Sequence, residues 1–145
     1  MKVRMKGLSE NENGKGNVMV KVDKQSELNG LRGFTAYTKA VTLFDLVISD
    51  LEPLTCKYEL TRLISQQIAS ADSIASNIEE GYGRGSKKDY SHFLIIARGS
   101  AQETMGRYER LRHWVKPEIV QERMALCGEI IAILTASIRK LRSDL

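Results

Sequence analysis

The sequence predicts an all-α fold, an antiparallel up-down-up-down four-helix bundle with a flexible N-terminal tail. Three observations lead there. Apolar residues recur at spacings of three and four through four separate segments. Pro53, the run Gly81-Tyr82-Gly83 and Pro117 fall between those segments. The links are short, and short links force neighbouring helices to run antiparallel. A chain of 145 residues is long enough for one core and too short for two. The division expected is a tail over 1–30 and a bundle over 31–145.

The tail is read from composition. Ser9 to Asn17 contains no apolar residue, so it buries too little to offset its ordering entropy. Val18, Val20 and Val22 alternate with Met19 and Lys21, a short strand pattern without a partner strand. In the first helix Phe34, Tyr37, Val41, Phe44, Ile48 and Leu51 are placed on one face. Glu52-Pro53 ends it, because proline disfavours helical geometry in the residue before it. The second helix runs from about Tyr58 to Glu80, with a core stripe of Leu60, Ile64, Gln67, Ala71, Ile74 and Ile78. Glycine in the left-handed conformation at Gly81-Tyr82-Gly83 is expected to close it. Ser86 is the expected N-cap of the third helix, with Asp89 in its first turn. Tyr90, Phe93, Ala97, Ser100, Thr104, Tyr108 and Leu111 form its core face. Pro117 fits the first turn of the fourth, where Ile119, Leu126, Ile130, Leu134, Ser137, Ile138 and Leu141 continue the period.

Two helix faces depart from ordinary amphipathicity. Opposite the core stripe, the second helix carries Ser65, Ala69, Ser73 and Ser76; on the third, Ile95, Gly99 and Gly106 point away from the core. A mid-helix glycine costs roughly 0.5–1 kcal/mol relative to alanine. Accepting that cost twice on one face predicts a second backbone close by, and hence a homo-oligomer built on these two helices.

The formal charge is +4, and residues 1–33 hold seven Lys/Arg against four Asp/Glu. Within the bundle, Arg84, Lys87, Lys88, Arg98, Arg107, Arg110 and Arg112 concentrate positive charge between the second loop and the end of the third helix. Lys87, Arg98 and Arg112 are separated by near-whole numbers of turns and so share an edge. Arg84, Lys87 and Lys88 surround a helix N-terminus, whose free N–H groups favour phosphate. Such an edge predicts RNA or DNA binding through the phosphate backbone.

Signals for chemistry are weak. The segment from Gly81 to Lys88 lacks the spacing of a Walker loop and follows a helix instead of a strand. His92 and His113 have no companion ligand at metal spacing, so neither a metal nor another cofactor is expected. His113 beside Trp114 reads as a hinge contact. The Glu-x-x-His pairs of di-iron bundles do not occur in this chain, and Glu103 is expected to cap or to pair with an arginine across an interface. Cys127 reads as a small buried hydrophobe, and Cys56 as a weak nucleophile without a histidine. No catalytic constellation emerges. Two cysteines, no signal core and no apolar run of roughly 18 to 20 residues lead to the expectation of a cytoplasmic protein outside the membrane.

The run Ser73-Ile74-Ala75-Ser76-Asn77-Ile78-Glu79-Glu80-Gly81-Tyr82-Gly83-Arg84, with Phe93-Leu94-Ile95-Ile96-Ala97-Arg98-Gly99-Ser100-Ala101-Gln102-Glu103, resembles the bacterial four-helix-bundle family first noticed in intervening sequences of large-subunit ribosomal RNA. The likeness covers roughly residues 31–142 and leaves out the tail. It implies a small antiparallel bundle assembling into a ring-like homo-oligomer, often a pentamer. A branch similar in fold comprises the accessory variability proteins of diversity-generating retroelements. That likeness implies RNA and a reverse transcriptase as partners. Ile68 and Ala69 stand where the family commonly has an arginine pair, Asp72 replaces an apolar residue, and Glu79 replaces alanine. These departures remove positive charge from the second helix and leave Arg84 and Arg98 as the foremost contact candidates. The combined expectation is a non-enzymatic, oligomeric accessory or scaffold protein; a pure protein-interaction module is the alternative.

Overall fold

The computed structural model describes residues 24–145. The expectations for Ser9–Asn17 and for the alternation around Val20 lie outside the described residues. Five helices follow in order: α1 Lys24–Leu31, α2 Thr35–Leu51, α3 Thr61–Gly83, α4 Lys87–Leu111 and α5 Pro117–Ser143. Two single 3-10 turns, Glu52–Leu54 and Tyr58–Leu60, join α2 to α3. Helices α2 to α5 are the four expected antiparallel rods, each packed on its sequence neighbours, with α2 also meeting α5. Helix α1 lies, but for Leu31, within the stretch read from sequence as tail. Its Leu31 is buried in the bundle core and Leu28 packs on that core.

The stripes of α3 and α5 are buried largely as their periodicity predicts, with Ile74, Ile78, Ile130 and Leu134 withdrawn from solvent. Helix α2 is rotated from the expected face. Its buried residues are Ala36, Tyr37, Ala40, Leu43, Val47 and Leu51, while Val41 and Ile48 are 38% and 41% exposed. Two apolar stripes overlap on this helix. Ala36 and Ala40 take the inner one because small side chains let the helix approach its neighbours closely. In α4 the rotation is slighter: Leu94 and Ala101 are buried, whereas Tyr90 packs at the margin of the core and Phe93 is half-buried.

The α3–α4 contact is polar along its outer edge. Gln67 Nε2 donates to the Thr104 carbonyl at 3.0 Å, and the Ser73 and Ser100 hydroxyls meet at 2.9 Å. Thr104 Oγ1 lies 3.0 Å from Ser70 Oγ. Every one of these buried or half-buried polar groups is partnered, the condition under which such a seam fixes helix register.

A second polar cluster ties three helices together at the opposite end from the α3–α4 turn. Arg123 of α5 donates from Nε and Nη2 to both Asp50 oxygens, at 2.8 and 3.1 Å. Tyr108 of α4 donates to the same carboxylate at 2.8 Å. Burial, and then the hydrogen bond to Asp50, push the Tyr108 hydroxyl well above the usual phenol range. Hydrogen bonding to Asp50 also holds the Arg123 guanidinium more firmly charged.

The end of α3 corrects the expectation for Gly81-Tyr82-Gly83. The helix continues through Gly83, and the positive-φ residue of the described chain is Gly85, at 76°. Gly81 serves a different purpose. A Cβ there would stand 2.7 Å from Phe93 Cβ and 3.0 Å from Tyr90 Cδ2, so its bare backbone is what lets α4 cross α3 at that point.

Candidate nucleic-acid interface

The α3–α4 turn is built by a left-handed glycine followed by a cap. Gly85 reverses the chain, and Ser86 Oγ accepts the Asp89 amide N–H at 3.0 Å, opening α4 as its sequence predicts. This turn projects three of the seven cationic candidates. The Arg84 guanidinium is steadied by Glu80 at 2.7 Å and lies over the Phe93 ring at 5.3 Å. Lys87 reaches Asp144 beyond α5 at 3.4 Å. Lys88 is exposed and has no ion-pair partner among the described residues.

The other four candidates are dispersed. Arg98 donates to Thr135 Oγ1 at 3.3 Å, so Lys87 and Arg98 do share the flank of α4 that meets α5. Arg107 turns the other way, into the α3–α4 seam, donating to Ser70 Oγ at 2.7 Å and to the Gln66 carbonyl at 3.1 Å. Glu103 pairs with it from one turn earlier in the same helix, at 3.7 Å, so that carboxylate has an arginine partner within its own chain. Arg110 and Arg112 stand at the far end of a helix about 37 Å long, and Arg112 bends back to Glu109. The seven therefore do not form one edge.

What the fold assembles is a charged pole. Antiparallel packing brings the α1–α2 link, the end of α3, the start of α4 and the end of α5 together, as the Tyr37–Glu79 and Lys87–Asp144 contacts mark. Arg32, Arg84, Lys87, Lys88, Arg139, Lys140 and Arg142 gather there against Glu79, Glu80, Asp89 and Asp144, a net of +3. At the opposite pole Lys57, Arg62, Arg107, Arg110, Arg112, Lys116 and Arg123 are matched by Asp50, Glu52, Glu59, Glu103, Glu109, Glu118 and Glu122. Sequence reading missed Arg139, Lys140 and Arg142, which lie some fifty residues from the turn they adjoin. The signal available was basic charge in a helix's last turn, ordinarily explained by the helix dipole alone.

The family model described as 23S rRNA-intervening sequence protein matches residues 32–136. The chain belongs to that family. A comparison with curated proteins finds no match. The 23S rRNA-intervening sequence protein match begins after α1 and ends inside α5, so Arg84, Lys87 and Lys88 fall within it and Arg139, Lys140 and Arg142 beyond it. In this 23S rRNA-intervening sequence protein the glutamate at position 79 has a local use: it accepts the Tyr37 hydroxyl at 2.9 Å and joins α2 to α3.

The small-residue face divides in two. Ser65, Ala69 and Ser76 are exposed on α3, the two hydroxyls bonded back to their own helix at Arg62 and Asp72. Ser73 turns inward to Ser100 and Asn77, and Ile95 packs at the margin of the core. On α4 a Cβ added at Gly99 would meet nothing within 4 Å, and one at Gly106 only the Arg110 guanidinium at 3.6 Å. Neither glycine is required by packing within the described chain. Between these helices runs a groove of about 340 Å³ lined by Gln66, Ala69, Ser70, Ser73, Ser100, Glu103 and Arg107. Elsewhere Cys127 is fully buried, and burial pushes its thiol up to about 12, as its core position predicts. His113 and Trp114 meet edge to face in the α4–α5 link. Among the described residues no helix is long and apolar enough to cross a membrane, and no group of three or more His, Cys, Asp or Glu is placed to hold a metal.

Proposed function

We propose that this family member is a non-catalytic accessory or scaffold protein that binds RNA or DNA through its charged pole. The observation carrying the reading is the convergence of seven cationic side chains from four chain segments on one end, opposite an end of zero net charge. Arg84 and Lys88 are exposed there, and Lys87 is only weakly held at 3.4 Å. Contacts of this type supply affinity by releasing counterions. Binding at low salt should therefore weaken linearly in a plot of log affinity against log salt. Each phosphate contact removed by Lys88→Gln or Arg142→Gln should reduce the slope by about 0.7–0.9. Arg110→Gln at the neutral pole should leave it unchanged. No binding at low salt, or equal effects at both poles, would refute the reading.

Self-association is the second element of the proposal, favoured by the open space beside Gly99 and the exposed Ser65, Ala69 and Ser76. A pentameric ring is the form proposed, and a reverse transcriptase remains a proposed partner for its outer surface. For an isolated subunit Gly99→Ala should raise stability by about 0.5–1 kcal/mol, since the added methyl meets nothing and helix propensity improves. Gly99→Arg should keep the fold but shift the mass seen by light scattering to that of one chain. A parent protein that is itself monomeric, or a Gly99→Arg variant of undiminished mass, refutes this assembly.

A further inference from the structure

The charged pole contains a small aromatic pocket that phosphate binding alone does not require. Gly81, Tyr82, Gly85, Ser86, Lys87 and Tyr90 enclose about 220 Å³ beside the α3–α4 turn. The two tyrosine rings stand 6.1 Å apart at 75°, so they form the floor and wall of a corner. Tyr82 is 42% exposed. Its hydroxyl is lodged against α1, where a Cβ at Gly30 would approach it to 2.7 Å, and this contact holds the ring in place. Gly85 contributes no side chain and nothing lies within 4 Å of its Cβ direction, which leaves the mouth open. Lys87 lines the rim, and Arg84 and Lys88 flank it in sequence. The other strongly exposed aromatics, Tyr58 and Trp114, lie at the pole without net charge.

We infer that this corner holds one unpaired base of a single-stranded nucleic acid, with the strand's adjoining phosphates on Lys87 and Lys88. This rests on the reading of the charged pole as a nucleic-acid surface and specifies the strand form it takes. A volume below the about 300–1,000 Å³ of drug-sized sites admits a single planar ring system. A base stacked within a duplex cannot enter such a corner; an unpaired one can, and aromatic faces accept it with little sequence preference. Duplex contacts would use the same cations and leave the tyrosines idle.

The test compares the full-length chain's affinity for a labelled single-stranded RNA of mixed sequence and for its duplex, at low salt. The expected result is tighter binding of the single strand. Tyr82→Leu should weaken that binding by about 5- to 150-fold and leave duplex affinity unchanged, whereas Tyr82→Phe, which keeps the ring, binds as the parent does. A thermal melt confirms that both variants fold. A measurement on the parent protein needs no variant: a single strand carrying 2-aminopurine should lose fluorescence on stacking. Equal affinity for both forms, no effect of Tyr82→Leu, or unquenched 2-aminopurine on a bound strand overturns the pocket while the charged pole stands. Absence of binding by either form overturns both.

Discussion

Replacing Asp50 with alanine should lower the free energy of unfolding by about 3–5 kcal/mol, the range found when one member of a buried ion pair is removed. Side-chain exposures of 5% for Asp50 and 13% for Arg123 leave the pair largely shielded from bulk water. Without the carboxylate, Arg123 keeps a charge with only the exposed Glu122 near it, and the Tyr108 hydroxyl loses its acceptor. Because the three residues come from α2, α5 and α4, the loss loosens three helices together. Urea denaturation followed by circular dichroism measures it. A double variant, Asp50→Leu with Arg123→Met, should recover most of the loss, since no buried charge remains. A cost below about 1 kcal/mol for Asp50→Ala, as expected of an exposed pair such as Lys39–Glu129, would show that the cluster is solvated.

Gly81→Ala should destabilise by about 1–3 kcal/mol, although alanine is the better helix former by roughly 0.5–1 kcal/mol. The methyl would enter space held by Phe93 Cβ, which belongs to a neighbouring helix and has no free end to swing aside. Helices α3 and α4 would have to part there. Thermal unfolding of this variant beside Gly99→Ala, both measured on the isolated chain, gives the sharper comparison, because one exchange in two helices of one bundle should change stability in opposite directions. A gain at both positions would mean that α4 yields at Phe93.

How far the sequence could be read depended on the kind of interaction. The α3 stripe of Ile64, Gln67, Ala71, Ile74 and Ile78 follows from periodicity, because one apolar face admits one orientation. Helix α2 is ambiguous by the same rule. Val41 and Ile48 outweigh Ala36 and Ala40 in hydropathy, yet the smaller residues go inside because packing selects on volume. Ser86 is legible as a cap since the cap and Asp89 are three residues apart. The Asp50–Arg123 pair, separated by 73 positions, leaves no local trace. The candidate interface divides in the same manner. Arg84, Lys87 and Lys88 stand out within one turn, but their alliance with Arg139 and Arg142 exists only once α5 has returned antiparallel. Arg107, grouped with them by sequence, is drawn into the seam by hydroxyls on α3.

The uneven distribution of charge between the two poles has a kinetic consequence. Among the described residues the excess of cations lies at one end, which gives the bundle an electric moment along its long axis; under the proposed function, the field of a polyanion would exert a torque on it before contact. Encounters of the proposed kind would then be pre-aligned, with the α3–α4 turn leading and Trp114 trailing. Raising the ionic strength should slow arrival more than it hastens departure.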